Sequence, residues 1–184
     1  MARKKSWKKL RVTKKFVVDI FGRHIVKEVL KYILILAILY FGVSGVLVLA
    51  LRADPYWRAV ISNSMKHRDE SWREYFETRG YDPSQFPIQG GFERGDMLIV
   101  QGVGSVTEIT VGEVIIFDTG QPTPLVHRVV EIRNENGEVR LTTKGDANRG
   151  ILSVEKSIKS EQIMCKVIFV IPKLGYLSLW FQGS

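Results

Sequence analysis

The chain has 184 residues, of which 45% are hydrophobic and 25% charged, which is room for one compact domain and excludes a multidomain machine. A mean hydropathy of +0.01 is high for a protein so rich in Lys and Arg, so the apolar residues must be concentrated in part of the chain. The net charge of +8 is concentrated too: residues 1–32 hold eleven Lys or Arg against Asp19 and Glu28, and the remainder carries 16 basic and 17 acidic residues.

In chain order, residues 1–32 form a basic arm. Ile33 to Leu51 follow as nineteen residues without a charge, and at about 1.5 Å per residue a helix of that length spans a hydrocarbon core of roughly 30 Å. A basic arm before a span predicts a cytoplasmic N-terminus, with residues 52–184 on the far side. The run is longer than a signal-peptide core, and Arg52-Ala53-Asp54-Pro55 offers no small-x-small cleavage site, so the segment reads as an uncleaved anchor. Nucleic-acid binding would rest on the arm alone, for which membrane orientation and contact with anionic lipid are the simpler reading.

Beyond the span, Asp54-Pro55-Tyr56-Trp57 reads as an interfacial turn. Lys66 to Gly91 is a polar inserted loop or lid, with a short helical candidate at Glu70 to Thr78. Short Val- and Ile-rich runs then predict strands at Met97 to Gln101, Glu113 to Asp118, Leu125 to Arg133, Glu138 to Lys144 and Glu161 to Ile171, with Asn134-Glu135-Asn136-Gly137 as a hairpin turn. The expected fold is mainly β, a small coiled sheet or barrel tethered by one N-terminal transmembrane helix. Cys165, the single cysteine, reads as a small core residue. The C-terminal apolar stretch Leu174 to Phe181 stops at Gln182-Gly183-Ser184, an ending that resembles the remnant of an engineered protease site and leaves a truncated membrane segment open.

The chemistry is narrowed by what is missing. His24, His67 and His127 are scattered and no Cys pair exists, so no metal is expected, and Gly102-x-Gly104 lacks the third glycine of a dinucleotide loop. No cofactor is expected. Nucleophilic catalysis is better supplied. His127 lies in an apolar strand, Ser64 follows the span closely and Asp146 sits in the Lys144-Gly145-Asp146-Ala147-Asn148 turn. A serine hydroxyl needs a neighbouring base, and an imidazole base needs a third group to fix its tautomer and stabilise its charged form. His67 is a rival base, better read as a solvated loop histidine, and Lys66 and Lys144 keep a serine/lysine dyad open.

Ser62-Asn63-Ser64-Met65, Arg94-Gly95-Asp96, Gly112 to Phe117, His127-Arg128-Val129-Val130 and Thr143 to Asn148 fall in the order of the motif boxes of type I signal peptidases. The chain resembles that family in its archaeal and endoplasmic-reticulum branch, since His127 stands where the bacterial enzymes carry a lysine. The resemblance implies a membrane-bound serine endopeptidase that removes N-terminal signal peptides from exported preproteins. It implies Ser64 as nucleophile, His127 as general base, Ser62 with the Ser64 backbone N–H as oxyanion hole, and Asp146 as the orienting acid. Preproteins with signal peptides and membrane lipid are the expected partners, with accessory subunits open.

Two departures stand out. No proline follows Met65, and the family's second aspartate beyond Asp146 is missing. The third catalytic group is therefore open among Asp146, Asn148 and Glu155. That gap also favours a rival reading, a non-catalytic membrane-anchored β domain that binds exported proteins or an assembly partner.

Overall fold

The computed structural model describes residues 3–181, with side chains from His24 onward. The side chains of the basic arm before His24, and the ending Gln182-Gly183-Ser184, lie outside the described residues. The chain divides into two units, Met1–Val46 and Leu47–Ser184.

Arg3–Leu51 form one helix, α1. Its stretch His24–Leu51 is long and apolar enough to cross a membrane, and none of its apolar window is buried. The helix runs unbroken through Ile33, because no proline or glycine lies between His24 and the apolar run.

The second unit is built on six antiparallel strands in one sheet. They are β1 (Trp57–Ala59), β2 (Met97–Gln101), β3 (Val114–Phe117), β4 (Leu125–Glu135), β5 (Glu138–Lys144) and β6 (Ile163–Ile171). Their order across the sheet is β1-β2-β6-β3-β4-β5, which leaves β1 and β5 as its edges. β1 pairs Trp57 with Ile99 of β2, so the tract expected as an interfacial turn enters the sheet. Three residues carry too little periodicity to announce a strand. β4 and β5 form the expected hairpin, with Asn136 at φ 56° and Gly137 at φ 87°, the left-handed pair that a two-residue turn requires.

Side chains alternate across the sheet, and each face has its own core. Ile115, Phe117, Val129 and Leu141 pack with Ile109 and Ile158 on one side. Leu98, Val100, Ile116, Cys165 and Val167 pack with Met65 and Phe92 on the other. Between Met65 and Phe92 the chain makes an excursion whose base is closed by an isolated antiparallel bridge from Lys66 to Gly91. Inside it, α2 (Ser71–Glu77) buries Trp72 and Phe76 against Val130 of β4.

The chain closes with α3 (Gly175–Phe181). Its Tyr176 ring lies so close to Gly95 that a Cβ there would stand 2.1 Å from the ring, and Gly95 has φ +89°. Only glycine meets both conditions. Gly95→Ala is expected to cost more than about 1 kcal/mol in denaturant unfolding of the solubilised protein, while Gly90→Ala, with nothing within 4 Å of the added Cβ, leaves the midpoint unchanged.

Candidate active site

Strand parity decides which groups meet. His127 and Arg128 are consecutive on β4 and point to opposite faces of the sheet. His127 pairs with Ile115 on β3. On its face lies Thr143, directly opposite Val129. Arg128 pairs with Lys144 and shares the other face with Val130 and α2.

On the His127 side, the short turn Ser153–Glu155 delivers a carboxylate into the core. His127 is 2% exposed and Glu155 is fully buried, and His127 Nδ1 is hydrogen-bonded to Glu155 Oε1. The same oxygen accepts from Thr143 Oγ1 at 3.2 Å, and Oε2 accepts from the Leu152 backbone N–H at 2.7 Å. Three donors on one carboxylate are what allow its burial. With Nδ1 turned to a carboxylate, Nε2 is the ring nitrogen directed elsewhere.

The Ser64 backbone is tied to the turn after β5. Ala147 N–H donates to Ser64 O at 2.9 Å, and Asp146 N–H points to Met65 Sδ at 3.4 Å. A Cβ on Gly145 would stand 2.9 Å from both His127 Nε2 and Ser64 O, so this glycine lets the turn lie against both residues at once. Ser62 Oγ lies 3.2 Å from Ser64 Oγ. Both serines open onto a cleft of about 370 Å³, lined by Val60, Leu98, Ile116, Leu125 and Val126.

Asp146 lies elsewhere in the network than the sequence expectation placed it. Its carboxylate is bound by Arg128, with Nε at 3.1 and 3.2 Å and Nη2 at 2.8 Å, and by His67 Nε2 at 2.7 Å. The carboxylate on His127 is Glu155, because β4 turns His127 away from the face that holds Asp146. Burial pushes the Asp146 carboxyl up, but hydrogen bonds from His67 and Arg128, with their charges, outweigh it and hold the group below its ordinary value of 3.8.

The rival bases are also placed. His67 is bound to Asp146 and stacks on Trp72 with ring centroids 4.5 Å apart. Lys66 pairs with Glu93. Lys144 Nζ donates to Gly145 O at 3.1 Å and lies 5.2 Å from the Tyr75 ring centroid. Burial holds the Lys144 ammonium below its usual value against the pull of Asp146 and Glu155. Asn148 Nδ2 stands 2.6 Å from the Gly145 Cβ position, near Nε2 rather than at Nδ1. Among the described residues no group of three or more His, Cys, Asp or Glu is placed to hold a metal ion.

No protein-family model matches the chain. It is 33% identical over 100 residues to the signal peptidase complex catalytic subunit SEC11 of Colletotrichum graminicola, covering 50% of this chain and 57% of that protein. It is 34% identical over 105 residues to the subunit of the same name from Saccharomyces cerevisiae, covering 53% of this chain and 62% of that protein. The chain thus spans about three fifths of the length of these relatives. The likeness is thus to catalytic subunits of a signal peptidase complex.

The Asp146 network has a pH signature. Because the folded-state value lies below 3.8, its stabilisation is full above that value and is lost as pH falls through the lowered native one. Asp146→Asn is expected to lower stability at neutral pH by about 3–5 kcal/mol, since it strips a buried guanidinium of its counter-charge. It also flattens the acid limb of a stability-against-pH curve measured by denaturant unfolding.

Proposed function

We propose that this protein is a membrane-bound serine endopeptidase that removes N-terminal signal peptides from exported preproteins. What supports the reading is that the Gly145 turn lies close to both His127 Nε2 and the Ser64 backbone oxygen, that the buried Glu155 carboxylate is on His127 Nδ1, and that Ser62 and Ser64 line a mainly apolar cleft.

Ser64 Oγ attacks the scissile carbonyl while His127 Nε2 takes its proton, forming a tetrahedral intermediate. Glu155 at Nδ1 holds the tautomer and stabilises the imidazolium by charge, which an amide such as Asn148 cannot do. The Ser64 backbone N–H and the Ser62 hydroxyl bind the oxyanion. His127 then protonates the leaving amine, and water, activated by the same imidazole, releases the acyl group from Ser64.

The cleft lies beside the edge strand β1, which leaves room for an extended peptide. Its modest volume suits small side chains next to the scissile bond. Ser64 follows the apolar run by only thirteen residues, which favours work near a bilayer surface. The basic arm orients the N-terminus to the cytoplasm and the sheet to the opposite side. The exposed Tyr176, Leu177, Trp180 and Phe181 of α3 suit lipid contact. Accessory subunits follow from the relatives' description as members of a complex. The non-catalytic reading rested on the missing second aspartate, and the Glu155 carboxylate at His127 Nδ1 weighs against it.

The test is cleavage of a preprotein with a small-x-small site by the full chain in detergent or vesicles. Ser64→Ala and His127→Ala are expected to lose activity by several orders of magnitude. Glu155→Gln is expected to lose about 10³- to 10⁴-fold in kcat, as when a catalytic histidine's acid is replaced by its amide. Cleavage that survives Ser64→Ala, or a Glu155→Gln variant as active as wild type, overturns the assignment.

A further inference from the structure

His67 occupies a slot built for an imidazole. One face stacks on Trp72 at 4.5 Å and an interplanar angle of 19°. Its Cδ2 edge lies 2.7 Å from where a Cβ on Gly91 would stand, and Gly91 has φ +61°. Its Nε2 donates to Asp146 Oδ2 at 2.7 Å, and the side chain is 13% exposed. A merely solvated loop histidine needs none of these features.

Asp146 in turn sits in the turn that lies against the reacting groups. Its neighbour Ala147 donates its N–H to Ser64 O, and its neighbour Gly145 has no room for a Cβ beside His127 Nε2 and Ser64 O. The excursion from Lys66 to Gly91 reaches the same carboxylate from its other end. Arg128, bound to Asp146, donates from Nη1 to Pro87 O at 2.8 Å and from Nη2 to Ile88 O at 3.1 Å. The start of the excursion is therefore fastened to this carboxylate directly through His67, and its end indirectly through Arg128.

We propose that His67 is a positioning residue for the peptidase reaction: by donating to Asp146 it fixes the 144–148 turn against Ser64 and His127, and the inserted segment thereby forms part of the active-site scaffold. It acts on no substrate atom. Its effect lies in the placement of Ser64 relative to Nε2, where a displacement near 1 Å is enough to cost about a hundredfold in rate. The inference rests on the proposed peptidase activity.

The experiment separates the ring from the hydrogen bond. His67→Phe keeps the stack on Trp72 and removes the donor, whereas His67→Gln keeps an N–H close to the Nε2 position and removes the ring. Steady-state cleavage of the same preprotein is measured for the full chain, with a melting curve for each variant. His67→Phe is expected to lower kcat about tenfold to a hundredfold with KM within about twofold, and His67→Gln to restore kcat to within about threefold of wild type. Unchanged kcat in His67→Phe, a loss carried by KM, or a His67→Gln variant as slow as His67→Phe overturns the proposal. If His67→Phe does not fold, His67→Gln decides alone, and a folded His67→Gln with less than about a third of wild-type kcat overturns it. A wild type that cleaves no better than Ser64→Ala overturns the peptidase reading and this inference with it; a wild type that cleaves while Ser64→Ala does not leaves that reading standing whatever the His67 variants do.

Discussion

The fully buried guanidinium of Arg128 is the constraint to which the parts around the site are fitted. All five of its N–H groups are used: Nε and one from Nη2 on Asp146, two from Nη1 on Pro87 O and Gly112 O, and one from Nη2 on Ile88 O. A charge taken out of water costs several kcal/mol and is tolerated only when paired and hydrogen-bonded. The end of the inserted segment, the turn leading into β3 and the turn after β5 must therefore converge on it together. Trp72 covers the group from α2, with its ring centroid 4.8 Å from the guanidinium carbon.

This convergence gives the two buried carboxylates different work. Asp146 balances Arg128 in the turn after β5, while Glu155 is hydrogen-bonded to His127. β4 separates them, because adjacent residues of a strand address opposite faces. One acid could not serve both His127 and Arg128. In the proposed reaction this keeps the group that stabilises the imidazolium apart from the group that bears the structural charge, so the proton moved at Ser64 does not disturb the ion pair that holds the turn.

Much of this was legible in the sequence. β2 to β6 announce themselves as Val- and Ile-rich runs, and Asn136-Gly137 marks the hairpin because both positions need positive φ. β1 was hidden: at three residues, Trp57–Ala59 has no readable period, and its place is fixed only by pairing with β2. Glu155 was visible as one of three acid or amide choices, yet the family resemblance favoured Asp146. The signal that separates them is parity. Val129 lies opposite Thr143 and shares a face with His127, so the acid for His127 had to lie on the Thr143 face. His67 read as a loop residue because its partners, Asp146 and the backbone at Gly91, are distant in sequence.

The central claim is that Glu155, not Asp146, activates the Ser64–His127 pair. It is tested most directly by the rate at which a serine-reactive phosphonate labels Ser64, followed by intact mass and peptide mapping at neutral pH. The account predicts labelling of Ser64 in wild type, a rate lower by at least about a hundredfold in Glu155→Gln, and a smaller loss in folded Asp146→Asn. Equal labelling of wild type and Glu155→Gln, with the larger loss in folded Asp146→Asn, would contradict it.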